Sequence, residues 1–173
     1  MVIKHVANSM LVLRIVTLAT AAVSIAFMVT NSYTYGGEDV KYNYFNTYRV
    51  EVAIAAIICV YCTVQLPFAI YYAIRQKRLI DNEFLPEFDF YGDKVASLLL
   101  GIGIGGGFAL SVELKKFIKD KITDNVEGFT STYSKIAIRG FVATAFLFVS
   151  FLSMAFVSFI SSNIRTKKQL NYY

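Results

Sequence analysis

Histidine is almost missing from this chain: its 173 residues contain one, His5, close to the N-terminus. Metal-assisted or histidine-based acid–base chemistry therefore finds no ligand set and no base in the rest of the sequence. No pair of carboxylates sits in an acid–base setting either, so the chain is not expected to be an enzyme, and no cofactor or metal is expected. Cysteine is scarce too. Cys59 and Cys62 lie three apart in the middle of an apolar run. They cannot build a disulfide framework and read as two small packing residues, the usual habit of free cysteine. The sequence has no Asn-x-Ser/Thr sequon, which leaves glycosylation silent about which segments face outward. It also has no internal repeat and no low-complexity tract.

What the chain does have is hydrophobic length. Apolar residues make up 56% of it, the mean hydropathy is +0.52, and most of the excess falls in four stretches at residues 10–31, 50–74, 95–112 and 136–160. Each reaches the roughly 17–25 residues that a helix needs to cross about 30 Å of hydrocarbon. A domain this small cannot cover four such runs with protein on every side. The expected fold class is an all-α membrane protein, a bundle of four transmembrane helices forming a single domain over residues 1–173. The first run follows Lys4 as a signal peptide would, but it continues to Val29, longer than a cleavable apolar core, and reads as an uncleaved anchor. A net charge of +5 raises the question of nucleic acid. The 17 basic residues sit in short groups beside the apolar runs, which makes them membrane flanks and excludes a nucleic-acid partner.

Four spans put both termini on one side. Nine basic residues fall on that side and eight on the other, so the positive-inside count is close to balanced. The compact clusters Arg75-Gln76-Lys77-Arg78 and Arg165 to Lys168, tight against helix ends, favour cytosolic termini. The same C-terminal basic residues read as a helix-flanking anchor beside lipid headgroups.

The connections differ in character. The first, residues 32–49, carries Gly36, Gly37 and the tyrosines Tyr33, Tyr35, Tyr42, Tyr44 and Tyr48, which read as interfacial anchors rather than a ligand-binding cluster. The second, residues 76–92, is too polar to enter the bilayer. The third, residues 113–135, repeats apolar residues at helical spacing among lysines. It is expected either to prolong the third helix or to lie along the membrane surface.

Ionisable groups near or inside spans are costly unless paired, hydrated or snorkelled to the interface. Arg14 lies about one turn inside the first span, and Asp93 opens the third from the same side; an Arg14–Asp93 ion pair would tie helix one to helix three. At the opposite side, Glu51, Glu113 and Arg139 share a membrane level. Two glutamates against one arginine leave surplus acid, a candidate cation-attracting mouth at Glu51 and Glu113. Along the first span Arg14, Thr17, Ala21, Ser24 and Met28 align on one narrow stripe. It reads as helix packing or, through Thr17 and Ser24, as a polar lining. The third span contains Gly101, Gly103, Gly105, Gly106 and Gly107, with two overlapping GxxxG pairs expected to strip one face for a tight helix contact, within the bundle or between protomers, at Gly101, Gly103, Gly105 and Gly107. Gln65 and Pro67 late in the second span suggest an interhelical hydrogen bond beside a kink.

The Leu13-Arg14 start of the first span, Asp93 at the start of the third, the stretch from Tyr61 to Pro67 reading YCTVQLP, and the approach Phe88-Asp89-Phe90-Tyr91-Gly92-Asp93 together resemble the Casparian strip membrane protein family of plants, in its CASP-like branch. The resemblance covers all four spans. It implies a four-helix membrane protein with cytosolic termini, related in architecture to MARVEL-type proteins, whose best-known members form oligomeric plasma-membrane scaffolds that organise local cell-wall modification. The family's arginine and aspartate of helices one and three carry over onto Arg14 and Asp93.

Two functions follow as expectations. The first is a homo-oligomeric membrane scaffold, partnered by copies of itself, by membrane lipids and by other membrane proteins. The alternative is an oligomeric cation-conducting channel with cations as its partners, since one copy has too few helices to enclose a wide aqueous path. The plasma membrane is the compartment the resemblance favours, with the endoplasmic reticulum as the other.

Overall fold

A backbone in hydrocarbon must satisfy its own hydrogen bonds, and the apolar runs do so as helices. The structure, a computed structural model, describes the backbone of residues 2–35, 38–75, 84–121 and 127–170, and side chains within 5–34, 39–75, 87–119 and 130–163. The chain is an all-α membrane protein built of four long helices: α1 Val2–Val29, α2 Asn46–Arg75, α3 Phe84–Lys121 and α4 Glu127–Leu170. Each contains a segment long and apolar enough to cross a membrane: His5–Val29, Asn46–Arg75, Glu87–Lys119 and Thr130–Asn163. At about 1.5 Å per residue even α1 exceeds the hydrocarbon thickness.

The helices overrun the expected spans. α3 begins eleven residues before position 95, with Pro86 in its first turn, where a missing N–H is harmless. It ends as a prolongation of the third span, on whose inner side Leu114 and Ile118 are buried. Residues 122–126 of that connection, with Ile122 and Val126, lie outside the described residues, as do the basic cluster at 76–78 and the side chains of Arg165, Lys167 and Lys168, and the last part of the connection is already the start of α4. α2 continues as helix through Pro67.

α1 packs on α2 and α4, and α3 packs on α2 and α4, so the cyclic order is one, two, three, four, with α1 and α3 on a diagonal. Apolar contact joins the middle of the bundle through Ala21, Ile54, Ala55, Ile58, Leu100, Ile104, Leu147 and Met154. A second cluster, with Met28, Tyr48, Leu114, Ile136 and Ala143, fills the end remote from the termini. The stripe on α1 is its buried face: Met10, Arg14, Thr17, Ala21, Ser24 and Met28 are all 8% exposed or less. Thr20 and Ser150 share a 2.6 Å hydrogen bond there, and Ser150 also donates to the Thr17 carbonyl.

The first connection contains structure that the tyrosine pattern alone does not announce. Ser32–Tyr35 (β1) and Glu38–Lys41 (β2) pair antiparallel, and a short 3-10 turn, Tyr42–Tyr44, leads into α2. Thr34 and Asp39 bond across the strands at 2.9 Å. The Gly36-Gly37 dipeptide between two β-compatible runs is the sequence signal for such a hairpin.

Candidate functional site: two polar layers inside the bundle

Buried polar groups collect in two layers, one towards each end. In the layer near the termini, Arg14 Nη2 donates to Asp93 Oδ1 at 3.1 Å and to Oδ2 at 3.2 Å, across the α1–α3 diagonal. Neither residue is more than 2% exposed. Asp89, one turn earlier on α3, has Oδ1 4.0 Å from the same nitrogen. From α2 the Tyr61 hydroxyl donates to Asp93 Oδ1 at 2.7 Å, and Gln65 Nε2 donates to the Tyr61 oxygen at 3.3 Å. Gln65 thus bonds within its own helix and reaches α3 only through Tyr61. Gly92 makes room for this arrangement, because a Cβ there would lie 2.6 Å from the Tyr61 hydroxyl. Three helices meet on one carboxylate. Charge-assisted hydrogen bonds in a low-dielectric interior are strong and directional, and this layer fixes the rotation of α1, α2 and α3 about their axes.

The second layer sits between α2, α3 and α4. Tyr48, fully buried, has its hydroxyl 2.9 Å from Ser111 Oγ, and Ser111 donates to the Gly107 carbonyl at 2.8 Å. Its ring presses against Gly140 so closely that any Cβ at that position would collide with it. Three residues on, the Glu51 carboxyl packs against Gly107 and beside the Thr144 hydroxyl. Glu51 is 1% exposed, and among the described residues neither of its oxygens makes a hydrogen bond of good geometry, the Thr144 hydroxyl being the polar group beside it. At the end of α1, Asn31 is fully buried and donates to the Ile136 carbonyl at 3.1 Å.

The structure separates the residues that the sequence grouped as a mouth. Glu51 faces the bundle interior, whereas Glu113 is on the exposed side of α3. Arg139 turns away from both: its Nη1 donates to the Thr30 carbonyl at 2.8 Å and its guanidinium lies 5.7 Å from the Tyr33 ring centre. A cation at the last carbonyls of α1 is well placed against the helix dipole. Equal axial level does not give equal rotation about the helix, so the shared mouth of Glu51 and Glu113 is corrected to one interior and one surface carboxylate. Thr17 and Ser24 lie in the packed interior, at 0% and 2% exposure, and the Thr17 hydroxyl donates to the Leu13 carbonyl.

The single glycine face is corrected to two. Positions two apart on a helix differ by about 200°, so two GxxxG pairs offset by two residues face opposite ways. Gly103 meets Ile54 and Leu147, with a Cβ 3.4 Å from the nearest atom, and Gly107 meets Glu51 and Thr144. Gly101 has only the Phe151 ring at 3.7 Å, and a Cβ on Gly105 would have nothing within 4 Å. Close packing within the bundle belongs to Gly103 and Gly107, and Gly105 looks outward.

Ser111, Thr144 and Gly140 are site residues that sequence reasoning passed over; Tyr48, read there as an interfacial anchor, is corrected to a fully buried residue of the second layer, and Tyr61 enters there only as part of the YCTVQLP stretch. Tyr48 and Glu51, like Tyr61 and Gln65, share a helical face at three- or four-residue spacing; that periodicity was the available signal.

The fold and these layers define a class: a four-span membrane protein whose helices are tied together by buried polar contacts. Within that class the chain belongs to a known family, since residues 4–146 match the Casparian strip membrane protein domain. Among curated proteins it is similar to CASP-like protein 4D2 of Arabidopsis lyrata subsp. lyrata, 32% identical over 160 residues covering 89% of this chain and 87% of that one. It is also similar to CASP-like protein 4D2 of Arabidopsis thaliana, 30% identical with 92% and 90% covered, and to CASP-like protein 4D1 of Ricinus communis, 26% identical with 88% of each covered. No solved structure matches.

Proposed function

We propose that the chain is a homo-oligomeric scaffold of the plasma membrane, with both termini in the cytosol, that gathers copies of itself and other membrane proteins into a patch. The observation that carries this reading is the outer face of α3. Leu98, Ile102, Gly105, Ala109 and Val112 are all exposed on it, spaced alternately by four and three residues. Gly105 and Ala109 form a small-xxx-small notch that the chain's own helices leave open, and in a bilayer such notches let a second helix approach closely. The deeply buried polar groups in the layers are turned inward against neighbouring helices, which suits a structural body better than a conduction path. Membership of the Casparian strip membrane protein family, whose best-known members form oligomeric plasma-membrane scaffolds, supports the same reading.

The test measures the mass of the purified full chain in detergent by size-exclusion with light scattering, and its conductance in a planar bilayer. The expected result is an oligomer that Gly105→Leu converts to smaller species without lowering the melting temperature, and a silent bilayer. A wild-type monomer at every concentration would remove the self-assembly, and reproducible single-channel steps lost in Gly105→Leu would replace the scaffold by an oligomeric channel.

A further inference from the structure

The hydrogen inventory around Glu51 does not balance for a carboxylate. Ser111 donates its only hydroxyl hydrogen to the Gly107 carbonyl, so the hydrogen in the Tyr48–Ser111 contact comes from Tyr48. Thr144 donates its hydrogen to the Gly140 carbonyl at 2.9 Å. Each hydroxyl of the layer has therefore spent its hydrogen elsewhere, and Thr144 Oγ1 presents lone pairs to the Glu51 oxygens beside it. Turning the Thr144 hydrogen round would supply one neutral donor against a full charge. Among the described residues no cation bonds to Glu51. Tyr48 is the titratable group that faces it from α2; α3 presents Gly107 and Ser111, with Glu113 and Lys115 on its exposed side; α4 presents Thr144 and Gly140, with Arg139 held at Thr30; and Met28 of α1, with Asn31 just beyond that helix, lies at this end.

An uncompensated charge here lies in hydrocarbon-like surroundings at 1% exposure, the circumstance in which a group takes up a proton rather than stay ionised. A metal ion would need several oxygens at once in a cage, whereas a proton needs one acceptor at contact and no cavity. We propose that Glu51 is a proton-binding site: it is held as the neutral acid, with its O–H donated to Thr144 Oγ1, and the proton closes the α2–α3–α4 layer. Losing the proton puts a bare charge against Gly107 and Thr144, so the packing of this end depends on the acidity of the medium that reaches it. Low pH favours the closed layer and rising pH weakens it. The inference stands apart from self-assembly, because Glu51 is enclosed within one chain.

The test uses the full chain in lipid nanodiscs and infrared spectroscopy at neutral pH. Wild type should show the carbonyl stretch of a protonated carboxyl, and the component missing from Glu51→Gln is the one assigned. Thr144→Val, which keeps Glu51 and removes its acceptor, should shift that component, and serves also if the Gln variant folds poorly. Melting of wild type should fall with rising pH more steeply than that of Thr144→Val or Glu51→Gln. An infrared band unchanged in both variants would overturn the site. Stabilisation of wild type by sodium or potassium over choline, absent in Glu51→Gln, would equally overturn it in favour of a metal cation.

Discussion

Replacing Asp93 by Ala removes the carboxylate on which three helices converge, and the structure sets the size of the loss. Arg14 keeps a guanidinium that is 2% exposed, with Nε and Nη1 already lacking partners. Stranding a buried charge costs about 3–5 kcal/mol, and leaving the Tyr61 hydroxyl without its acceptor adds about 1 kcal/mol. Asp89 moderates the damage, because its Oδ1 is 4.0 Å from Arg14 Nη2 and needs only a small shift to take over. Arg14→Ala leaves Asp93 and Asp89 one turn apart without the cation between them, but a buried carboxylate can take up a proton, a relief that a stranded guanidinium lacks. Both single variants therefore have a partial relief, and we expect each to fall within this range rather than above it. For a domain of this size, about 3 kcal/mol corresponds to a fall in melting temperature on the order of 10 °C. Cys62 reports the event directly: it is fully buried in the core shared with this layer, so a thiol-reactive fluorescent maleimide reads the melt. The double variant Arg14→Met with Asp93→Leu should recover much of the loss, because both charges leave together, and the charge swap should recover part of it. Losses that simply add in the double variants, or an Asp93→Ala variant that melts with wild type, would refute the coupling.

Gly107→Ala should lower the melting temperature by the equivalent of about 1–3 kcal/mol, since the added methyl meets Glu51 and Thr144, while Gly105→Ala should leave it unchanged. Equal effects would mean that the two glycines share a face after all. Tyr48→Phe should cost only about 1 kcal/mol, the worth of its bond to Ser111, whereas Gly140→Ala should cost more because the ring itself must move; thermal melting of the pair gives the order, and the reverse order would show that the hydroxyl, not the ring, holds this layer.

Axial position is the part of this fold that sequence delivers. Span parity and a rise of about 1.5 Å per residue place Arg14 and Asp93 at one depth, and Glu51, Glu113 and Arg139 at another. Rotation about each helix is a different matter, and it decides what the residues do. Arg14 and Asp93 face one another across a diagonal because α2 inserts Tyr61 beside them and Gly92 leaves the space. Gly92 is local to Asp93, but Tyr61 lies 32 residues away on another helix, and that part is not encoded beside either charge. Glu51 and Glu113 share a depth but not a direction, and the difference is set by Tyr48 seating on Gly140, a contact between residues 92 positions apart. Tyr48 itself sits at a span edge, where tyrosine commonly anchors to the interface, yet it is fully buried. Its burial depends on a glycine in another helix. The glycine run misleads for a geometric reason, since overlapping pairs offset by two residues look continuous in sequence and are opposed in space.

Lipid tails are as apolar as leucine, so burying Leu100 or Leu147 against protein rather than lipid discriminates weakly between correct and incorrect helix rotations. Exposure bears this out: Leu98 and Ile102 lie outside while Leu100 and Ile104 lie inside, on one helix and with the same chemistry. Discrimination must come from groups for which lipid is the wrong solvent. Arg14 and Asp93 cannot face lipid without stranding charge, and Glu51 cannot without exposing a carboxyl, so each wrong rotation of α1, α2 or α3 carries a penalty that apolar packing alone would not impose. The two layers exert this control at opposite ends, and a helix pinned at both ends has no rotational freedom left in the middle. The outer face of α3 is then presented in one fixed orientation, with Gly105 and Ala109 always outward. A small-residue notch held in a fixed direction is what regular assembly of copies requires, because a face that wandered around the helix would dock neighbours at many angles and build no ordered patch.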